Sequence, residues 1–306
     1  MFDHRLADDL DQWFRFFISG GQKTLADSGH RNYDLHGKNI ELFNVRIVFF
    51  LLFHCNATQA EGTVRNIAIS VICVTLSKDS NFVSLKIVLT EVEIMLIIRH
   101  RVNTVLGLKE IPADCGVEID IRGDRGRLVL NHDPLEAGKE YEDLDAFLAV
   151  FAARELPFVI LNIKETGVEK SAMELCAKHG IGPERFALLD VEYPYLYKAT
   201  RKLVPPVHSI FVRYSEAEPI EAVLAQMKDG QPLVDWVWID VPTKLPLDAD
   251  TVAKLKPFKT CVVCPHCWGR PEDIDAYCEQ MKALGFVPDA VMTDQPNEGA
   301  WRAHFS

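Results

Sequence analysis

Two carboxylates stand two residues apart, Glu118 and Asp120, in the segment Val117-Glu-Ile-Asp-Ile121. Apolar and acidic residues alternate there with the period of a strand, so both carboxylates point to one side and Val117, Ile119 and Ile121 to the other. Neighbouring carboxylates repel and are costly to bury unless a cation or a proton compensates them. Gly123-Asp-Arg-Gly126 is turn chemistry, and a second short strand then ends at His132-Asp133. A hairpin would return His132 to the carboxylate pair, giving hard-cation ligands beside an imidazole able to move protons. The plain alternative is an edge hairpin with a solvated acidic face.

Other polar residues recur where apolar runs end. His100-Arg101 follows Met95 to Arg99, and Asn162 and Lys164 close Phe158 to Ile163. Asp190, Arg213, Asp240 and Asp294 end later runs. From Met95 onward, apolar strands alternate with amphipathic helical stretches. Strands are expected at 95–99, 117–121, 158–163, 186–189, 209–212, 235–239, 261–264 and 290–292, with a hairpin arm at 128–130. Helices are expected at 103–113, 144–154, 168–179, 195–203, 220–228, 249–255 and 271–284. Eight buried strands separated by helices indicate an α/β fold, a (β/α)8 TIM barrel whose site lies at the carboxyl ends of the strands. Residues 1–94 differ in character. A short helix is expected at 9–17, and apolar β-branched segments at 45–53, 63–76 and 82–98 suggest antiparallel strands. They are read as a β-rich N-terminal appendage without a site signature, with 95–306 as the barrel domain. His30, His36 and His54 are scattered and read as surface or hydrogen-bonded residues.

The chain has 306 residues, 48% hydrophobic and 25% charged, the composition of a globular protein with a sizeable core. A net charge of -11 argues against a nucleic-acid backbone as partner. Eight cysteines without a disulfide-like spacing suggest reduced thiols and a cytoplasmic setting. No apolar run is long enough to span a bilayer, and the first residues lack the order of a signal peptide.

Taken in order, these motifs resemble the glycerophosphodiester phosphodiesterase family, within the phosphatidylinositol-phospholipase-C-like barrels. The resemblance covers residues 95 to about 298. It is carried by His100-Arg101 with Asn103-Thr104, Glu118-Ile-Asp120, His132-Asp133, the Lys164 strand and Thr293-Asp-Gln-Pro296. Two departures stand out. The usual glycine after His-Arg is Val102, with the following insertion nearly absent, and the third-strand glutamate is Asn162.

The resemblance implies metal-dependent hydrolysis of a small organic phosphodiester, a lipid-metabolism type of substrate. Glu118, Asp120 and Asn162 would hold a divalent cation, Mg2+ or Ca2+, which suits hard oxygen donors. His100 and His132 would be the acid/base pair, with imidazole titrating near neutrality. Arg101 and Lys164 would grip the phosphate oxygens. Arg213, Trp238 and Asp240 are expected to line the substrate site. A phospholipase-D-like lyase and a non-catalytic diester-binding barrel are the alternatives. Arg122 is read as a surface residue. The run Cys261-Val-Val-Cys264-Pro-His266-Cys267 looks like a soft-metal motif, but a buried strand would point Cys261 and Cys264 to opposite sides, so the thiols are read as core.

Overall fold

The computed structural model describes residues 46–49, 53–57, 65–76, 83–93, 95–203 and 205–305. The chain divides into two compact units, the first 1–59 with 64–93, the second 60–63 with 94–306. In the first unit, β1 (Arg46–Phe49), β2 (Phe53–Ala57) and β4 (Val83–Glu93) all pair antiparallel with the long β3 (Arg65–Leu76). Among the described residues of the expected segments 45–53, 63–76 and 82–98, strands lie at 46–49, 65–76, 83–93 and 96–99. The expected helix at 9–17, and His30 and His36, lie outside the described residues.

The second unit is built on eight parallel strands. In chain order they are β5 (Leu96–Arg99), β6 (Gly116–Asp124), β9 (Val159–Ile163), β10 (Phe186–Leu189), β11 (Phe211–Tyr214), β14 (Trp236–Ile239), β15 (Lys259–Val263) and β16 (Ala290–Thr293). Each forms a ladder with the next in sequence except β10 with β11, and β16 returns to β5. The sheet is curled, so its two edges, β10 and β11, approach at one parallel bridge, Leu188 with Ile210. Runs such as Val159-Ile-Leu-Asn-Ile163 are buried along their whole length, because helices cover one face of the sheet and its own curvature the other. Strand β6 continues past the ring into a hairpin with β7 (Arg127–Leu130), which also pairs β8 (Glu142–Asp143).

Helices return the chain between strands: α1 (Val105–Lys109), α2 (Leu144–Ala153), α3 (Glu169–Lys178), α4 (Tyr193–Arg201), α5 (Ile220–Leu224), α6 (Ala249–Leu255), α7 (Ile274–Ala283) and α8 (Gln295–Phe305). Three departures from expectation have local causes. Helix α1 is shorter than 103–113: Thr104 caps it by accepting from the Gly107 amide at 3.0 Å, and Pro112 disfavours helical backbone at Ile111. Helix α5 stops at Leu224 rather than 228, because Asp229-Gly230, both at positive φ, turn a small hairpin between β12 (Met227–Lys228) and β13 (Gln231–Pro232). Helix α8 was not expected. Asp294 starts it by accepting from the Asn297 amide at 3.3 Å, and Pro296 suits its first turn.

Gly116 sets how closely β6 is seated. A Cβ there would lie 2.6 Å from Ile98 Cδ1 and 2.7 Å from the Phe158 carbonyl oxygen, so only glycine lets β6 lie between its neighbours. That seating places Asp120 opposite Asn162 in the β6–β9 ladder.

Candidate functional site

Strand alternation sends Glu118 and Asp120 inward from β6, and both are almost wholly buried, at 1% and 0% exposure. Each is held by neighbours from adjacent strand ends. Glu118 Oε2 accepts from the Arg101 amide and Oε1 from Asn162 Nδ2, both at 2.8 Å. Arg101 adopts a left-handed backbone (φ 52°), the turn just beyond β5 that carries its amide toward Glu118. Asp120 is clamped twice by Asn103, whose Nδ2 donates to Oδ2 and whose Oδ1 accepts the Asp120 amide, each at 2.8 Å. Lys164 Nζ lies 3.2 Å from Asp120 Oδ1.

Burial, with the Asp120 charge as a second cause, pushes Glu118 up to about 7. This is the expected signature of a carboxylate pair with too little positive charge beside it. Asp120 Oδ1 and Asn162 Oδ1 are buried without a hydrogen-bond donor, although Lys164 Nζ is close enough to Asp120 Oδ1 for an ion pair. Two carboxylates and an amide oxygen, with two of the oxygens lacking donors, fit a hard divalent cation.

The two histidines have different surroundings. His100 is half-buried, and desolvation, then Arg101 and His266, hold it down to about 4. The imidazole is therefore neutral at neutral pH. His132 is more open, at 37% side-chain exposure, with Nδ1 2.9 Å from Asp133 Oδ1. Its Nε2 lies 2.8 Å from Arg101 Nη2. A guanidinium can only donate, so Nε2 accepts and the ring proton sits on Nδ1, directed at Asp133. Arg122 is not a surface residue: its side chain is 13% exposed, Nη2 donates to the His132 carbonyl at 2.8 Å and Nη1 to Glu165 at 3.1 Å. It braces the end of the hairpin arm. Period-2 counting from Glu118 puts residue 122 on the carboxylate side.

Arg213 donates to Asp190 Oδ1 at 2.7 Å and Asp240 Oδ2 at 2.5 Å, and lies 3.1 Å from Glu218. Lys164 reaches Asp190 at 3.9 Å. Arg213 is thus surrounded by carboxylates, and it and Asp240 form a brace around the rim. Trp238, expected to touch substrate, is only 4% exposed and packs edge-on against Phe211 with ring centroids 5.5 Å apart. The structure places it in the core, since every residue of β14 is buried. The tryptophan at the rim is Trp268, 48% exposed, whose Nε1 donates to Asp240 at 2.8 Å.

The structure therefore brings together His100, Arg101, Glu118, Asp120, His132, Asn162 and Lys164, and connects Arg213 and Asp240 to them through Asp190. Sequence reasoning assigned no role to Asn103, Arg122 and Trp268. The Asn-Thr pair after His-Arg was the available signal for Asn103.

No protein-family model and no curated protein matches the chain. Among solved structures it is similar to a glycerophosphodiester phosphodiesterase from Parabacteroides distasonis, 14% identical, with a TM-score of 0.47, covering 69% of this chain and 96% of that one. It is also similar to a glycerophosphoryl diester phosphodiesterase from the same organism, 14% identical, with a TM-score of 0.49, covering 71% of this chain and 89% of that one. Likeness at this level assigns neither a family nor an activity. No helix among the described residues is long and apolar enough to cross a membrane.

Proposed function

We propose that the second unit is a (β/α)8 barrel that hydrolyses a small organic phosphodiester, of the glycerophosphodiester kind, with Mg2+ or Ca2+ as cofactor. One observation carries this reading: a buried carboxylate pair, with a donor-free oxygen on Asp120 and another on the neighbouring Asn162, lies beside two imidazoles, a guanidinium and an ammonium. Glu118, Asp120 and Asn162 would hold the cation, whose charge would polarise a phosphoryl oxygen. Lys164 and Arg101 neutralise the other diester oxygens, arginine with a two-pronged grip.

His100, kept neutral, takes the proton of the attacking water as its oxygen bonds to phosphorus. The bond from phosphorus to the leaving alkoxide breaks on the opposite side. His132 gives that oxygen a proton, and Asp133 against its Nδ1 holds the ring in place for the transfer. Arg101 leaves His132 Nε2 when a diester oxygen draws the guanidinium away, which frees that nitrogen to be protonated.

The test is turnover of a panel of phosphodiesters with added Mg2+ or Ca2+, together with calorimetry of the ions. Asp120→Asn should weaken both ions strongly and remove turnover. Unchanged ion affinity in that variant would sink the cation site. Ion binding without turnover on any diester would leave a diester-binding barrel, the alternative favoured by the smaller charge of Asn162.

A further inference from the structure

The cysteine-rich run that begins in β15 takes no part in the reaction proposed above. Its first two thiols are core: Cys261 and Cys264 are fully buried, and Cys264 Sγ accepts from Trp301 Nε1 at 3.2 Å. Residues 265–268 then form a short 3-10 turn that carries His266 and Cys267 toward His100. Cys267 Sγ lies 3.8 Å from His100 Nδ1 and 3.6 Å from His266 Nε2. One donor atom from each of the three residues falls within 4.8 Å of the other two.

These spacings match a coordination sphere. With Zn–S about 2.3 Å and Zn–N about 2.0–2.1 Å in a tetrahedron, sulfur and nitrogen ligands stand about 3.6 Å apart. Two imidazoles and a thiol also form a borderline-soft donor set, unlike the all-oxygen set of Glu118, Asp120 and Asn162. Both nitrogens of His266 lie at nearly the same distance from the sulfur, 3.6 and 3.9 Å. The sulfur therefore faces neither nitrogen alone, and binding an ion requires the ring to turn so that one nitrogen points inward. Asp294 Oδ2, 3.8 Å from His266 Nε2, is placed to accept from the nitrogen left over.

We propose that His100, His266 and Cys267 form a second cation site, for Zn2+ or a similar borderline-soft ion, and that its occupation inhibits the enzyme. On binding, the Cys267 thiol gives its proton to solvent, the thiolate and two ring nitrogens bond the ion, and water completes the sphere. His100 then has its Nδ1 lone pair committed to the metal and its ring fixed, so it no longer serves proton transfer. The inhibitory part rests on the role proposed for His100, whereas the site itself does not.

Co2+ is the probe for the site, added to the full-length chain in excess Mg2+. A tetrahedral cobalt–thiolate centre should appear at one equivalent, seen as a thiolate-to-cobalt charge-transfer band with visible ligand-field bands, and Zn2+ should displace it. Cys267→Ser should abolish the charge-transfer band and weaken Zn2+ more than about tenfold, since losing even an outer-shell partner costs that much. His266→Gln should likewise weaken Zn2+ and alter the ligand-field bands, while Asp120→Asn should leave the cobalt spectrum intact. Absence of the band in the folded wild-type chain, or its persistence in Cys267→Ser, overturns the site. Zn2+ should also inhibit diester turnover in the wild type and much less in Cys267→Ser. A cobalt spectrum of the expected kind with turnover insensitive to Zn2+ would keep the site and overturn the inhibition.

Discussion

At the scale of single residues, what surrounds His100 and His132 separates their roles. Burial keeps His100 unprotonated, which suits a base. His132 has Asp133 against Nδ1, which fixes the ring with Nε2 directed outward for proton transfer and suits an acid. Replacing either by Ala should lower turnover by about a hundredfold or more on an alkyl leaving group. A leaving group of low pKa needs no proton, so it should rescue His132→Ala and leave His100→Ala impaired. Rescue of His100→Ala instead would reverse the two assignments. Glu118 gives a second prediction at this scale, for the metal-free protein. Its carboxyl titrates higher when folded than when unfolded, near 7 against an ordinary 4.5. Between those values the unfolded chain has lost a proton that the folded chain keeps, so stability falls as pH rises from about 4.5 to 7. The melting temperature should drop by a few degrees across that window. Mg2+ or Ca2+ should remove the drop, because the ion favours the carboxylate, and Glu118→Gln should flatten it. A metal-free melting temperature that does not fall over this range would place Glu118 in ordinary contact with compensating charge.

At the scale of elements, the site depends on how β6 is seated. Gly116→Ala would set a methyl against Ile98 and the Phe158 carbonyl, costing about 1–3 kcal/mol of stability by overpacking. The same shift would move Glu118 and Asp120 relative to Asn162, so divalent-ion affinity should fall together with the denaturation midpoint. A variant as stable as wild type, with full ion affinity, would mean that β6 tolerates displacement. This dependence also explains what was legible in the sequence. Strands buried on both faces read as uninterrupted apolar runs, so Phe186–Leu189 has its expected limits, and so does the helix Ala249–Leu255, whose start Asp248 caps. The residues that end those runs are polar for a reason, and they included most of the site. Less legible were features that depend on partners distant in sequence. Trp238 and Trp268 look alike as residues, and only packing against Phe211 makes one of them core. His266 and Cys267 lie far from His100 along the chain, and no local spacing announces their meeting. Arg122 shares the carboxylate side by strand period, and its contacts with the His132 carbonyl and Glu165 bury it. The Asp229-Gly230 turn is local and readable, but the helical pattern of 220–228 runs up to it and covers the short strand Met227–Lys228.

At the scale of the whole molecule, the second unit contains what its fold requires. The buried apolar cluster runs from Met95 to Trp301, and β5 finds both of its ladder partners, β6 and β16, inside the same unit. The site residues from His100 to Lys164, and the rim from Asp190 to Trp268, also lie within it. A fragment beginning at Ile94 and running through Ser306 should therefore fold cooperatively and retain the ion affinity and turnover of the 306-residue chain. Trp301 provides an internal reporter. It is fully buried, stacks on Phe305 with ring centroids 6.4 Å apart and donates to Cys264, so it joins the last helix to the end of β15. Its fluorescence and the near-ultraviolet circular dichroism of the fragment should match a native, well-packed environment and be lost in one transition with denaturant. Removing α8 from the same fragment should abolish that transition, because it strips Trp301 from the core. The opposite outcome for the fragment itself would be retained far-ultraviolet signal, no near-ultraviolet signal and strong binding of a hydrophobic dye, the marks of lost specific packing. With the full chain folding normally, that outcome would make the β-rich first unit an integral part of the fold rather than an appendage to it.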